Sequence, residues 1–151
     1  MKRYVKLFAV IGLVLILSLT IVGMASADVV KGKGWLSARG SGLAHLYMTG
    51  RVDIVGHGVG TVYVRGAEEI EASGHGRRLN RADGVVVFYG YEGEIHLAGE
   101  RMVVKMAGKE IEFTAAGKGT AWLRGYGSYE TGHGASGDWA PNGLTVEVVD
   151  E

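Results

Sequence analysis

Three histidines each stand between two glycines, and imidazole is the side chain here best suited to bind a metal ion: His57, His75 and His133. If turns brought two of them together, their nitrogens could share Zn²⁺, Cu²⁺ or Ni²⁺. However, the chain has no His-Glu-x-x-His motif, no cysteine and no closely spaced ligand pair. Histidines at the polar positions of an alternating strand usually contact only solvent. The sequence therefore predicts no metal and no other cofactor, and these three histidines are the residues to examine if a metal were bound.

Five aromatic residues occupy the same alternate positions as the polar residues around them, which places them on the polar face of their strands: Trp35, Tyr47, Tyr63, Trp122 and Tyr126. Aromatic rings on a solvated face can stack on sugars or anchor a partner, since they bring a large area at a small entropy cost. The competing and more common role is structural, because large rings lie across neighbouring strands and cover the backbone that glycine leaves bare. The five residues are the candidate contact surface.

Carboxylates are the third group that could carry chemistry, and seven glutamates lie in the alternating segments: Glu68, Glu69, Glu71, Glu92, Glu94, Glu110 and Glu112. Two of them would form a glycosidase pair only if they converged to about 5 to 9 Å in a cleft. Acidic residues on strand exteriors are usually solvated charges, and the chain shows no nucleophile–base signature. The sequence therefore predicts that the protein is not an enzyme.

The strands that must position these residues are visible as an alternation between Val30 and Gly76. Of the 24 even-numbered residues in that span, 23 are apolar or glycine, and Glu68 is the exception. A period of two is typical of a β-strand with one buried and one solvated face. The expected buried residues are Val52, Ile54, Val62, Val64 and Ile70. The expected exposed residues are Arg51, Asp53, Arg65, Glu69 and Glu71.

Glycine divides the chain, which has 26 glycines and one proline. Glycine clusters recur every six to ten residues, a spacing typical of short strands joined by tight turns or bends. β-Branched and aromatic residues at fixed phase exclude a disordered glycine-rich linker. Gly40, Gly42, Gly117 and Gly119 are expected where two backbones approach closely or where φ is positive.

An internal repeat links the two halves: residues 38–50 recur as residues 115–127, with six of thirteen positions identical. Repeated strand–turn units indicate stacked or symmetry-related layers. In the second half the apolar residues change from odd to even positions at Gly99-Glu100 and back to odd positions at Gly108-Lys109. Both dipeptides suit type II′ turns, so two antiparallel hairpins are expected there. Polar loops are expected at residues 78–83 and 132–143.

The Gly-x-Gly turns that follow short alternating strands in residues 70–76 and 113–119 resemble those of glycine-punctuated β-solenoid heads of autotransporter-like adhesins. Small exported glycine-rich β proteins are similar. The resemblance implies a cell-surface, non-enzymatic role. Together with the alternation it predicts one all-β domain over residues 28–151. A β-solenoid-like architecture comes first, and an antiparallel β-barrel or sandwich is the alternative.

The N-terminus indicates export. Lys2, Arg3 and Lys6 precede an apolar run over residues 7–24, and Ala25-Ser-Ala27 matches the small-x-small pattern that signal peptidases cut. Residues 1–27 are therefore expected to form a hydrophobic helix that is a cleaved signal peptide. The alternative is an uncleaved membrane anchor through residues 7–24 with the β domain outside. Either way the protein is expected to be secreted or held in the cell envelope.

Charge narrows the expected partners. Residues 28–151 hold 13 of the 16 Lys and Arg and all 16 Asp and Glu, so no basic footprint for nucleic acid exists. The sequence favours an exported structural or interaction protein without enzymatic activity. Its expected partners are a second copy of the chain or a surface polysaccharide. The alternative is a small metal- or carbohydrate-binding module.

Overall fold

The computed structural model describes residues 29–149, without the side chains of Lys31 and Lys33. The expected signal peptide or anchor over residues 1–27 lies outside the described residues. The seven strands are β1 (Val29–Lys33), β2 (Trp35–His57), β3 (Thr61–Arg65), β4 (Glu69–Asn80), β5 (Val86–Thr131), β6 (Ser136–Asp138) and β7 (Leu144–Val149). The all-β prediction is confirmed. Over residues 29–149 the protein has no helix long and apolar enough to cross a membrane.

The strands form one open mixed sheet organised around β5. Strands β2, β3, β4, β6 and β7 all pair with β5, and β1 extends the sheet by pairing parallel to β7. The apolar side chains of the strands form one buried cluster. No helix packs on the sheet within residues 29–149. The apolar face of the sheet is therefore covered by other parts of the same sheet.

Strand β2 lies inside the sheet because it pairs antiparallel with two parts of β5 at once. Ile54 faces Phe113 on one side and Ile95 on the other. The same double pairing holds along most of β2. Both edges of β2 are therefore occupied, and its ladder of hydrogen bonds is shielded from solvent on both sides.

The expected hairpins at Gly99-Glu100 and Gly108-Lys109 are wrong. β5 continues through both dipeptides and runs along β2 in one direction. Instead, Arg101 and Glu110 have φ values of 58° and 56°, and the register against β2 slips by one residue at each place. A β-bulge inserts one residue into a strand and so moves the following side chains to the other face. The two places where the apolar residues change between odd and even positions are therefore β-bulges and not hairpin turns.

The predicted faces are confirmed in most positions. Val52, Ile54 and Val64 are buried, and Val62 and Ile70 are half-buried against the core. Arg51, Arg65, Glu69 and Glu71 are exposed, whereas Asp53 is half-exposed.

In five glycine pairs the two backbones are in close contact, since a Cβ added to either glycine would lie within 3.1 Å of the other's Cα: Gly40–Gly127, Gly42–Gly125, Gly50–Gly117, Gly60–Gly108 and Gly74–Gly93. At Gly117, φ is 124° and an added Cβ would lie 3.1 Å from Gly50 Cα, with the Thr49 carbonyl oxygen closer still. Such backbone contact permits the sharp bends that let a sheet curl. The prediction for Gly40, Gly42, Gly117 and Gly119 is confirmed.

The two copies of the internal repeat pair with each other in antiparallel register. When each residue is replaced by its counterpart in the other copy, the pair Gly40–Gly127 becomes the pair Gly117–Gly50, which the sheet also contains. The pairing of the two copies is therefore locally two-fold symmetric. This arrangement matches the symmetry-related layers that the repeat predicted.

Residues 132–143 were expected to be a loop, and they also contain β6 and a buried tryptophan. Trp139 is buried against Gly40, and its indole Nε1–H donates a hydrogen bond to the Ser128 carbonyl oxygen at 3.1 Å. The polar connection expected at residues 78–83 lies further along the chain, because β4 extends to Asn80 and the turn to β5 follows it. The solvent-facing side of the sheet, which we call the outer face, carries the polar residues and the candidate site.

Candidate contact surface

Four outer-face residues lie side by side across neighbouring strand segments: Trp122, His45, Lys105 and Tyr63. The rings of Trp122 and His45 lie 5.3 Å apart between centroids, and Lys105 Nζ lies 5.6 Å from the centre of the Tyr63 ring. Tyr47 follows two residues after His45 on β2 and shares its face. We call these five residues the aromatic row. It contains three of the five aromatic residues singled out in the sequence.

A shallow groove runs along the aromatic row between Tyr47 and Trp122, with Thr120, Thr145 and Val103 also lining it. Tyr47 is 56% exposed. Trp122 is half-buried because one side of its indole covers Gly143, where an added Cβ would lie 2.7 Å from Trp122 Cζ2. The groove thus combines a fixed indole, a freely exposed phenol and two threonine hydroxyls.

Electrostatics make the row weakly cationic. Burial, and to a lesser degree the ammonium group of Lys105, lower the pKa of His45. His45 is therefore neutral at neutral pH, and Lys105 is the cation of the row. A neutral imidazole packs beside Trp122 as an aromatic ring, which extends the apolar surface of the groove.

The other two predicted aromatic residues lie elsewhere on the outer face. Trp35 is 38% exposed at the start of β2, where it pairs with Ala116. Tyr126 is 77% exposed and pairs with Ser41. The structure therefore divides the five predicted residues into one group of three and two separate rings.

The sheet brings two of the three candidate histidines to one glutamate. His57 and His75 pair with Glu92 from its opposite sides, and His57 Nε2 lies 3.0 Å from Glu112 Oε2. His133 lies in the turn between β5 and β6. Within the described part of the chain, no three His, Cys, Asp or Glu side chains are arranged to hold a metal ion.

Sequence reasoning missed a second polar cluster, centred on His96. Its Nδ1 lies 2.7 Å from Asp53 Oδ1, and its Nε2 lies 3.5 Å from Glu94 Oε2. The hydrogen bond to Asp53, supported by the charges of Asp53 and Glu94, raises the pKa of His96. Glu71 faces His96 from β4. The alternation places these residues on one face, but it does not say which strands pair.

The seven glutamates considered for catalysis all lie on the outer face or at a bend. Glu94 and Glu71 flank His96, Glu92 and Glu112 flank His57, and all except the half-buried Glu112 are exposed.

Comparison of the chain with protein-family models, characterised proteins and solved structures finds no match.

Proposed function

We propose that the protein is an exported, non-enzymatic contact protein of the cell envelope or extracellular space, and that its aromatic row binds polysaccharide. The groove between Tyr47 and Trp122 carries the proposal. Diagonal neighbours on one face of an antiparallel pair lie roughly 7–8 Å apart, within reach of large side chains. One extended saccharide can therefore contact both rings, while Thr120 and Thr145 supply hydroxyls that donate and accept hydrogen bonds.

The curled sheet supports an antiparallel, barrel-like architecture in preference to the solenoid that the glycine turns suggested. In a β-solenoid, each coil packs parallel to the next coil of the same chain. Here β2 pairs antiparallel with a distant strand along both of its edges. Such a sheet is a rigid platform that holds aromatic rings at fixed spacing, which lowers the entropy cost of binding.

The test is retention of the purified protein on insoluble polysaccharides, using peptidoglycan, cellulose and chitin as probes. Tyr47→Ala removes an exposed ring with little effect on folding, and we expect it to weaken binding to the retained polymer at least fivefold. Trp122→Ala should weaken binding further. Tyr126→Ala is the control, because it removes a still more exposed tyrosine outside the row and should leave binding unchanged. Equal binding by all three variants, or no retention on any polymer, would contradict the proposal.

A metal-binding module is the second candidate, favoured by the placement of His57 and His75 on either side of Glu92. Zinc titration followed by calorimetry distinguishes the two candidates. Stoichiometric uptake that disappears in His57→Ala and in His75→Ala would assign the protein to metal binding. Absence of saturable uptake keeps the polysaccharide proposal.

A further inference from the structure

Strand β4 has a long edge without a partner. Its twelve residues, Glu69–Asn80, pair with β5 on one side, and no strand within residues 29–149 pairs with the other side. All are exposed except Ile70, which is half-buried. A strand edge presents unpaired N–H and C=O groups, and it is a template for pairing with another chain.

β4 carries four charged residues, Glu69, Glu71, Arg77 and Arg78, and charges on an edge oppose pairing with unmatched chains, so a partner must complement them. Natural edge strands are short, or carry proline or lysine. β4 has neither residue and is twelve residues long. Its one irregularity is a register shift between His75 and Arg77. That shift places the extra residue in β5, since two steps along β4 match three along β5, so the edge of β4 remains open to pairing along residues 69–77.

The charges along β4 favour pairing with an antiparallel second copy of the same strand. Glu69 and Glu71 lie near its start, whereas Arg77 and Arg78 lie near its end. A parallel copy of β4 would place like charges together, which destabilises a strand pair. An antiparallel copy would place acidic residues opposite basic ones at both ends.

We propose that two copies of the chain pair through β4 in antiparallel register, which joins their sheets across a two-fold axis. With Ser73 opposite its own copy, Glu69 faces Arg77 of the second copy and Glu71 faces His75. Glu69, Glu71 and Arg77 pair within the chain with Ala98, His96 and Tyr89, which lie on the outer face. Because the interface is isologous, each pair occurs twice.

This pairing goes beyond the polysaccharide proposal and does not depend on it. The aromatic row lies on β2, β3 and β5, outside β4. A dimer would carry two rows, and a polymer that engages both would bind more tightly by avidity. An experiment can therefore disprove the β4 dimer without affecting the polysaccharide proposal, and the reverse is also true.

Charge exchange tests the interface by sedimentation equilibrium of the purified full chain. We expect Glu69→Arg and Arg77→Glu each to raise the dimer dissociation constant about tenfold, because attraction becomes repulsion at two places. An equimolar mixture of the two variants should recover dimers, since every arginine then faces a glutamate again. Glu130→Arg is the matched control, because it reverses an exposed charge of β5 away from β4. A monomeric wild type, or a mixture that does not recover dimers, would overturn the proposal.

A single cysteine tests the register, since the natural chain has none. Ser73→Cys places one thiol on each copy at the two-fold axis, where opposite Cβ atoms lie about 4.5–5.5 Å apart. A short bismaleimide should link these thiols into a covalent dimer. Ser128→Cys, an exposed serine of β5, should give only monomer. Equal cross-linking of both variants, or none of Ser73→Cys, would contradict the register. Polysaccharide retention by the Glu69→Arg monomer shows independently whether the aromatic row functions.

Discussion

Strands β2 and β4 share one alternating pattern, yet the structure buries the first and exposes the second. Ile54 and Ile70 both occupy even positions next to acidic residues. Ile54 lies between Phe113 and Ile95 and is 3% exposed, whereas Ile70 pairs only with Leu97 and remains half-exposed. The alternation decides which face of a strand is apolar. Ile54 and Ile70 differ in the number of neighbouring strands, and the second neighbour accompanies the deeper burial of Ile54.

The apolar side of β4 also offers little area to bury. After Ile70 its even positions are Ala72, Gly74 and Gly76, followed by the polar residues Arg78 and Asn80. Burial contributes roughly 25 cal/mol per Å² of apolar surface, so alanine and glycine add almost nothing. β4 is therefore held by its hydrogen bonds to β5, while β2 is held by hydrogen bonds on both sides and by the core.

The largest expected effect comes from filling a glycine contact beside β2. Gly117→Val would place a branched side chain against Gly50 and the Thr49 carbonyl oxygen at a φ of 124°. Overpacking and backbone strain together should cost about 3–5 kcal/mol. Urea denaturation measures the loss. Gly134→Val is the control, because its φ is 76° but its Cβ would meet no atom within 4 Å, so only strain of about 1–2 kcal/mol is expected. Equal losses would mean that close backbone contact is unimportant.

The matched isoleucines test the comparison at the next smaller scale. Ile54→Ala leaves a cavity between two strands and should cost about 3 kcal/mol, whereas Ile70→Ala should cost about 1 kcal/mol because its site is half solvated. Thermal unfolding should show the difference, since each kcal/mol shifts Tm by roughly 3–5 °C in a domain of this size. A loss at Ile70 as large as that at Ile54 would contradict the edge position of β4.

A smaller effect is expected where the two regions meet, at His96 between Asp53 of β2 and Glu71 of β4. The pKa of His96 is raised above its ordinary value of 6.5 in the folded protein. Its contribution to stability is therefore complete below pH 6.5 and is lost as the pH rises through the folded pKa. Asp53→Asn should lower the pKa of His96 toward 6.5, as followed by NMR titration of the imidazole resonances. The pKa of His45 is shifted in the opposite direction, because burial lowers it, and the Asp53→Asn substitution should leave it unchanged, so His45 is the internal reference. A wild-type His96 pKa below 6.5 would contradict the hydrogen bond to Asp53.

The sequence predicted the strands, their faces and the crowded glycines, because a period of two and the lack of a Cβ have direct structural meaning. It did not distinguish bulges from hairpins. An extra residue near Arg101 or Glu110 and a two-residue turn both move the apolar phase by one position. The exposure of β4 was also missed, since burial depends on neighbours that are distant in sequence.

The candidate surface was predicted only in part for the same reason. The phase placed Tyr47, Trp122 and Tyr126 on the outer face, but only the pairing of β2 with β5 determines that the first two share a groove. The contact between His96 and Asp53 was invisible because alternation identifies a face and gives no register. Buried Trp139 lies in an irregular segment, where no period applies.

Hydrogen exchange on the Glu69→Arg variant, at a protein concentration where sedimentation shows only monomer, tests most directly whether β2 has strand neighbours on both edges and β4 on one edge only. In an antiparallel pair, alternate amides of an edge strand point away from the partner. We expect the amides of residues 44–55 in β2 to exchange only through global unfolding. Alternate amides of residues 69–80 in β4 should exchange without any opening. Uniform strong protection across β4 would show that its second edge is covered within one chain, which would contradict the account.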